Sequence, residues 1–536
     1  MKTRFITKIA FALALTLGLT SCFKDLDVLP IDPSKETSED VYKKKENYKK
    51  VLAKLYAGLA ISGQKGPDGN ADISGIDEGY GQYLRGLFYH QEYPTDEAVI
   101  GWGDMTIRDF HGQSWASTDS YIAAFYYRIF YQISACNEFL RESTNEKLAS
   151  RGQDDEAFLA EVAAYRNEAR FLRALSYYHA IDHFGNVPFV TENDKVGSFF
   201  PRQISREDLF KYVEKELTEI EDKLAEPRSN EFGRADKAAA WTLLAKLYLN
   251  AEVYTKQNRY ADAVTYTEKV ISSTYRLHAN YAELFMADND KTNAREEIIF
   301  PIRYDGIQTK SYGGTSFILL AAIGGDMKGI DYGLNGGWAG HRTTKALVEK
   351  FPEINDEGSS TDKRALFFTS GQKEEIEDLA NFKHGYAVVK FTNRTSTGGY
   401  GSAKDFVDTD FPMFRVADVY LMHAEALIRS GKPVEGNALE LLNQIRDRAY
   451  GNTSGRVNPS DITLSWILDE RARELYWECH RRTDLIRFGK FSNTEYTWPW
   501  KGNVKEGKSV DAKYNLFPIP AKDLNANPNL VQNPGF

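Results

Sequence analysis

Few residues in this chain of 536 are spaced for catalysis, and each of those has a plain structural reading. His179 and His183 stand four apart, on one helical face. Ala180-Ile181-Asp182 between them lacks the glutamate of a zinc-protease helix, so they read as core or capping histidines. Asp288-Asn289-Asp290-Lys291-Thr292-Asn293 alternates oxygen donors like the start of a calcium loop, but has no glycine sixth and no glutamate twelfth. Asp288 and Asp290 are therefore candidate ligands of a non-standard calcium site, with a solvated polar turn as the competing reading. Gly398-Gly399-Tyr400-Gly401 has no Lys-Ser/Thr after it and is a turn, not a phosphate cradle. The two carboxylates of a glycosidase are defined by their separation in space, and with 76 acidic residues, chance proximity says nothing.

Recognition chemistry is better represented. Three large rings stand in loops beside glycine: Trp102 in Ile100-Gly101-Trp102-Gly103, Tyr312 in Ser311-Tyr312-Gly313-Gly314, and Trp338 in Gly336-Gly337-Trp338. A ring without bulky neighbours offers a flat apolar face that suits the C–H face of a sugar, and Arg85 could donate a fork of hydrogen bonds to paired hydroxyls. The competing reading has the rings pinning their loops to the body of the protein.

These loops need a scaffold, and the rest of the chain reads as helical. Ala238 to Ile271 gives one nearly all-apolar helix, a polar turn at Gln257-Asn258, and one amphipathic helix. That pair covers 34 residues, the length of a tetratricopeptide unit. A second pair of that length starts at Val416 and breaks at Gly431-Lys432-Pro433. A further helix between Glu161 and His183 stops at Gly185 with Pro188 beyond. Others are expected near 41–59, 121–140, 206–224 and 464–487. The expected fold is all-α: tetratricopeptide-like hairpins near 161–184, 206–271 and 416–489 stack into a superhelix. Two stretches, 61–113 and 303–412, rich in Gly, Asp and aromatics, read as long functional loops with some short strands.

Composition limits the remaining classes. With 42% hydrophobic and 13% aromatic residues the chain has material for a large core. A net charge of −9 and the lack of a dense Lys/Arg run disfavour nucleic acid. Residues 1–21 read as an export signal, basic and then apolar, ending at Leu19-Thr20-Ser21-Cys22, which resembles a bacterial lipobox. Cys22 is then the lipid-bearing first residue of a mature chain 22–536, held on the membrane by its acyl chains without a spanning segment. Phe23, where Asp would retain the protein, points to the outer membrane. Cys136 and Cys479 read as two separately buried thiols.

Several motifs in order identify a relative. Phe414-Arg415-Val416-Ala417-Asp418-Val419-Tyr420, Glu470-Arg471-Ala472-Arg473-Glu474-Leu475, Arg482-Thr483-Asp484-Leu485, Pro518-Ile519-Pro520 and Gln532-Asn533-Pro534-Gly535-Phe536 together resemble the SusD/RagB family, as do Gly233-Arg234-Ala235-Asp236-Lys237 and Phe184-Gly185-Asn186-Val187-Pro188. The likeness covers nearly the whole mature chain. It implies a surface-exposed outer-membrane lipoprotein, without enzyme activity, that lies over a SusC-like TonB-dependent transporter and delivers oligosaccharides to it. Gly63-Gln64-Lys65-Gly66, Pro94-Thr95-Asp96-Glu97 and Leu284-Phe285-Met286-Ala287-Asp288 are similar to the starch-binding branch. In that branch an arc of three aromatics follows an α-glucan helix, and the resemblance places Trp102, Tyr312 and Trp338 there, with Arg85 on the hydroxyls. Two positions depart: Ile100 stands where a second tryptophan is expected, and Asp104, the remaining candidate contact, follows Gly103 where the branch carries an amide. Maltooligosaccharides are the expected ligand. The alternatives are a fructan or β-glucan binder, a helical glycosidase and a protein-binding scaffold. Arg415, Asp418, Glu425, Glu470, Glu474 and Arg487 read as ion pairs within helix packing.

Overall fold

The computed structural model describes residues 37–63, 66–67, 71–104, 106–197 and 199–536. The expected signal segment and Cys22 lie outside them. Twelve principal helices carry the architecture: α1 (Glu46–Ala60), α2 (Tyr83–Gln91), α3 (Ser120–Glu142), α4 (Glu156–Phe184), α5 (Arg206–Ile220), α6 (Lys237–Leu249), α7 (Tyr260–Ile271), α8 (Gly314–Ala322), α9 (Val416–Arg429), α10 (Asn437–Tyr450), α11 (Leu464–Leu475) and α12 (Arg481–Arg487). Side chains start many of them. Asp119, Asp155, Ser205, Asp236 and Thr463 each accept from backbone N–H groups of the first turn that the helix itself leaves without a partner.

Helix α3 lies against α4 and α4 against α5, while α1 packs on both α3 and α4. The hairpin α6–α7 stacks on the hairpin begun by α9, which also meets α10 and α11. Each apolar stripe is thus covered by the next hairpin, as the periodicity predicts. Strands are short and paired in twos; Ile298–Ile302 runs antiparallel to Phe411–Arg415, and Val99–Ile100 to His341–Arg342.

Two expectations need correction. The stretches 61–113 and 303–412 are not loops throughout, since α2 and α8 lie inside them. Every residue of α8, Gly-Thr-Ser-Phe-Ile-Leu-Leu-Ala-Ala, is buried, so no polar face exists to reveal a helical period. In α2 only Arg85 escapes burial. The second correction is at 464–487, where one expected helix is two. Between α11 and α12 the chain turns through left-handed backbone at Trp477 (φ 63°) and Cys479 (φ 64°), a strained conformation for residues with a Cβ. It is held from outside: Glu97 accepts from the N–H of Trp477 at 3.1 Å and Glu92 from that of Cys479 at 2.6 Å.

The charged family motifs form buried ion pairs. Arg415 reaches Glu297, Glu474 and Glu478 at 2.6–2.9 Å. Asp418 sits between Lys246 and Arg471, Glu425 pairs with Arg487, and Glu470 with Arg364 and Arg446. Burial opposes ionisation of Glu474, but the guanidiniums of Arg448, Arg415 and Arg364 outweigh it and hold its carboxyl down at about 2. His179 and His183 are core residues: burial lowers them to about 3 and about 4, and His183 Nδ1 bonds the carbonyl of His179 at 2.7 Å. Cys136 and Cys479 are free and buried.

Candidate functional site

The segments carrying the five candidate residues are anchored on α2 and α8. Gln82, fully buried, caps α2 through its Oε1, which accepts from the N–H of Arg85 at 2.7 Å and from that of Gly314 at 2.9 Å. Its Nε2 donates to the carbonyl of Leu59 at the end of α1. One amide therefore ties together the starts of α2 and α8. The glycines after Tyr312 are what allow this approach. A Cβ on Gly313 would fall 2.4 Å from Gln82 Cβ, and one on Gly314, where φ is +58°, would fall 2.2 Å from the Tyr304 hydroxyl.

At the other end of α8 the chain returns alongside the helix. The N–H groups of Trp338, Ala339 and Gly340 donate to the carbonyls of Leu320, Ile323 and Ala321 at 2.6, 2.9 and 2.8 Å. Acceptors that a helix C-terminus leaves open thus fix the Trp338 segment. Gly101 N–H donates to Gly340 O at 2.8 Å, and Arg108 donates to the carbonyls of Gly101 and Trp102. This aligns the Trp102 loop beside the Trp338 loop.

The three rings consequently meet. Trp102 and Trp338 have centroids 6.3 Å apart at 48°, and Trp338 and Tyr312 6.0 Å apart at 63°. Trp102 Nε1 donates to the Trp338 carbonyl at 3.1 Å, which engages its polar edge and leaves its faces apolar. All three rings are half-buried. Trp102 and Trp338 rest on the main core, with Phe317 of α8 beneath Trp102. The ring planes turn by 48° and 63° from one to the next, so the three do not share a plane.

Arg85 lies over Phe317, its guanidinium carbon 4.2 Å from the ring centroid. Its Nε donates to the Tyr89 hydroxyl at 2.6 Å and its Nη1 to the carbonyl of Tyr312 at 2.7 Å. Of five donors, those on Nη2 have no partner among the described residues. Asp104 is exposed; its backbone carbonyl receives the Tyr121 hydroxyl at 3.5 Å, and its carboxylate makes no hydrogen bond among the described residues. A fourth ring, Phe406, lies 5.5 Å from Tyr312. Nothing in the sequence singles it out, since Lys404-Asp405-Phe406 has no period and no flanking glycine.

The two calcium candidates have different partners. Asp288 accepts from the N–H and hydroxyl of Ser396 at 2.9 and 2.7 Å, whereas Asp290 pairs with Arg303 at 2.8 Å. Among the described residues no three His, Cys, Asp or Glu side chains group as a metal site would need. Both carboxylates have partners within the fold.

Residues 366–536 match the model of the SusD family, and residues 77–249 that of a family described as starch-binding, associating with outer membrane. The chain is 38% identical over 581 aligned positions to starch-binding protein SusD of Bacteroides thetaiotaomicron, covering 100% of each. It is 27% identical to SusD-like protein P25 of Formosa agariphila, over 68% of this chain and 71% of that one. A SusD superfamily protein of Parabacteroides distasonis has a crystal structure that superposes with a TM-score of 0.70 at 23% identity, covering 94% of this chain and 100% of that one. At that identity the likeness concerns the fold.

Proposed function

From the premise that this chain belongs to the SusD family, we propose that it captures starch-type α-glucan oligosaccharides at the outer membrane. The observation that carries this reading is the row of Trp102, Trp338 and Tyr312, with steps of 6.3 and 6.0 Å and planes turned by 48° and 63°; on this reading the row follows the bend of the ligand. A curled α-linked chain can lay successive sugar faces on such a row. A straight β-linked chain would meet one ring at a time. Arg85 donates from Nη2 to paired hydroxyls, and Asp104 accepts from a hydroxyl at the rim. Each interaction is modest, and affinity comes from several made at once on a surface already in place.

In this reading the mature chain, 22–536, is one functional unit, tethered by lipid on Cys22 and exposed at the cell surface. It carries no catalysis: the oligosaccharide passes unchanged to a SusC-like TonB-dependent transporter. The identity to a starch-binding protein over the full chain supports the ligand class, and the family described as associating with the outer membrane supports the location.

Electrophoresis through native gels cast with starch, a fructan or a β-glucan tests the reading. Starch alone should retard the protein, Trp338→Ala should remove most of the retardation, and incubation with starch should release no new reducing ends. Retardation by fructan or β-glucan in place of starch would overturn the ligand class. New reducing ends would overturn the absence of catalysis.

A further inference from the structure

The row of rings continues past Tyr312. Phe406 lies with its centroid 5.5 Å from that of Tyr312 at an interplanar angle of 41°, and Tyr312 is its one ring neighbour among the described residues. Trp338 touches Trp102 and Tyr312 but not Phe406. The four rings therefore run in a single order: Trp102, Trp338, Tyr312, Phe406.

Phe406 has no evident task in the core. It is half-buried, yet unlike Trp102 and Trp338 it is not among the side chains packed against the main hydrophobic cluster. Its backbone, by contrast, is held on several sides. Asn335, three residues before Trp338, donates its N–H to Lys404 O at 3.2 Å and its Nδ2 to Asp405 Oδ1 at 2.8 Å. Asn393 Nδ2 donates to Ala403 O at 2.7 Å, and the N–H of Val407 donates to Ser316 Oγ on α8 at 3.1 Å. Gly306 approaches so closely that a Cβ there would fall 2.6 Å from the Phe406 carbonyl. The same helix and the same loop that position Tyr312 and Trp338 thus position Phe406. An apolar ring that stands outside the main cluster on a firmly held backbone is the feature expected of a binding surface.

We propose that Phe406 is a fourth sugar-stacking position, which makes the surface favour long α-glucan chains over short ones. This rests on the reading that the first three rings bind α-glucan. A short oligosaccharide fills those three and gains nothing from Phe406; a longer one reaches it and adds one stack. Were Phe406 only a prop for Tyr312, its loss would weaken short and long ligands alike.

Calorimetric titration with maltotriose and maltoheptaose separates the two roles. The unmodified chain is measured first; binding of neither sugar would overturn the α-glucan reading and this proposal with it, before any variant is made. Given binding, Phe406→Ala should leave maltotriose affinity within about twofold and weaken maltoheptaose about tenfold, the loss of one partly buried ring face. Phe406→Trp should restore the preference for the longer sugar, and Tyr312→Ala should weaken both ligands. The thermal melt of Phe406→Ala should match that of the unmodified chain. Equal loss on both sugars, or no loss on either, would overturn the fourth position while leaving the α-glucan reading intact.

Discussion

Gly340 determines where Trp102 can sit, and replacing it with alanine moves that ring without deleting it. A Cβ on Gly340 would fall 2.6 Å from Cζ2, 2.7 Å from Cε2 and 3.0 Å from Nε1 of Trp102. Carbon atoms at rest stand about 3.5–4.0 Å apart, so the indole must retreat by about 1 Å. Little room exists for this, because Trp102 already rests against Phe317 and donates to the Trp338 carbonyl at 3.1 Å. Gly340 is not in the left-handed region, so the backbone tolerates alanine and the strain falls on the ring. Overpacking costs about 1–3 kcal/mol in stability, and breaking the hydrogen bond contributes about 1 kcal/mol of that. For binding, one indole face is on the order of 80 Å² of apolar surface, worth about 2 kcal/mol, or about 30-fold in affinity. Titration with maltoheptaose should find Gly340→Ala and Trp102→Ala each weaker by about 10- to 30-fold, and the double variant no weaker than Trp102→Ala, since both remove the same stack. Far-ultraviolet circular dichroism should be unchanged. Wild-type affinity in Gly340→Ala, or additive losses in the double variant, would refute the placement of Trp102 in the binding row.

Three further outcomes follow from the scaffold. Arg415→Met leaves Glu297, Glu474 and Glu478 short of a buried partner and should cost about 3–5 kcal/mol; a urea midpoint equal to that of the unmodified chain would count against the network. Asp96, Glu425 and Glu474 are each held down at about 2 despite their burial, the first two mainly by Arg481 and Arg487. Depressed carboxyls stabilise the fold above their unfolded values near 4 and lose that contribution as pH falls toward 2, so the urea midpoint should drop between about pH 4.5 and 2.5, and a flat profile there would refute the pairing. Burial pushes the Cys136 thiol up to about 12 and raises Cys479 as well, so a chain beginning after Cys22 should react with a disulfide reagent only once unfolded, releasing two equivalents; reaction of either thiol in the native state would contradict the packing.

Helices α3, α7, α10 and the first half of α4 were legible because each turns one face to the core and one to water, whereas α9 showed a three- and four-residue recurrence although nearly all of it is buried; Gly431-Lys432-Pro433 marked a true break. The interleaved charges of the last third were legible as ion pairs because acids and bases alternate at helical spacing among apolar residues. Residue type and local glycine content offered Trp102, Tyr312, Trp338 and Arg85 as candidates, and the family resemblance is what favoured sugar recognition over loop pinning for them. By contrast α2 and α8 left no trace: almost wholly buried and only nine residues long, they offer neither a polar face to set a period nor the length that marked the thirteen-residue α6.

What lies outside local sequence is adjacency. Trp102 and Trp338 are neighbours because the carbonyls at the end of α8 and the strand pair Val99–Ile100 with His341–Arg342 bring two distant loops together, and Phe406 joins them through a hydrogen bond from Asn335 to Asp405. Local chemistry is written residue by residue, so candidate residues for recognition can be read from types and spacings. The order, spacing and tilt of its rings depend on contacts between segments tens to hundreds of residues apart, and only the packed structure decides those.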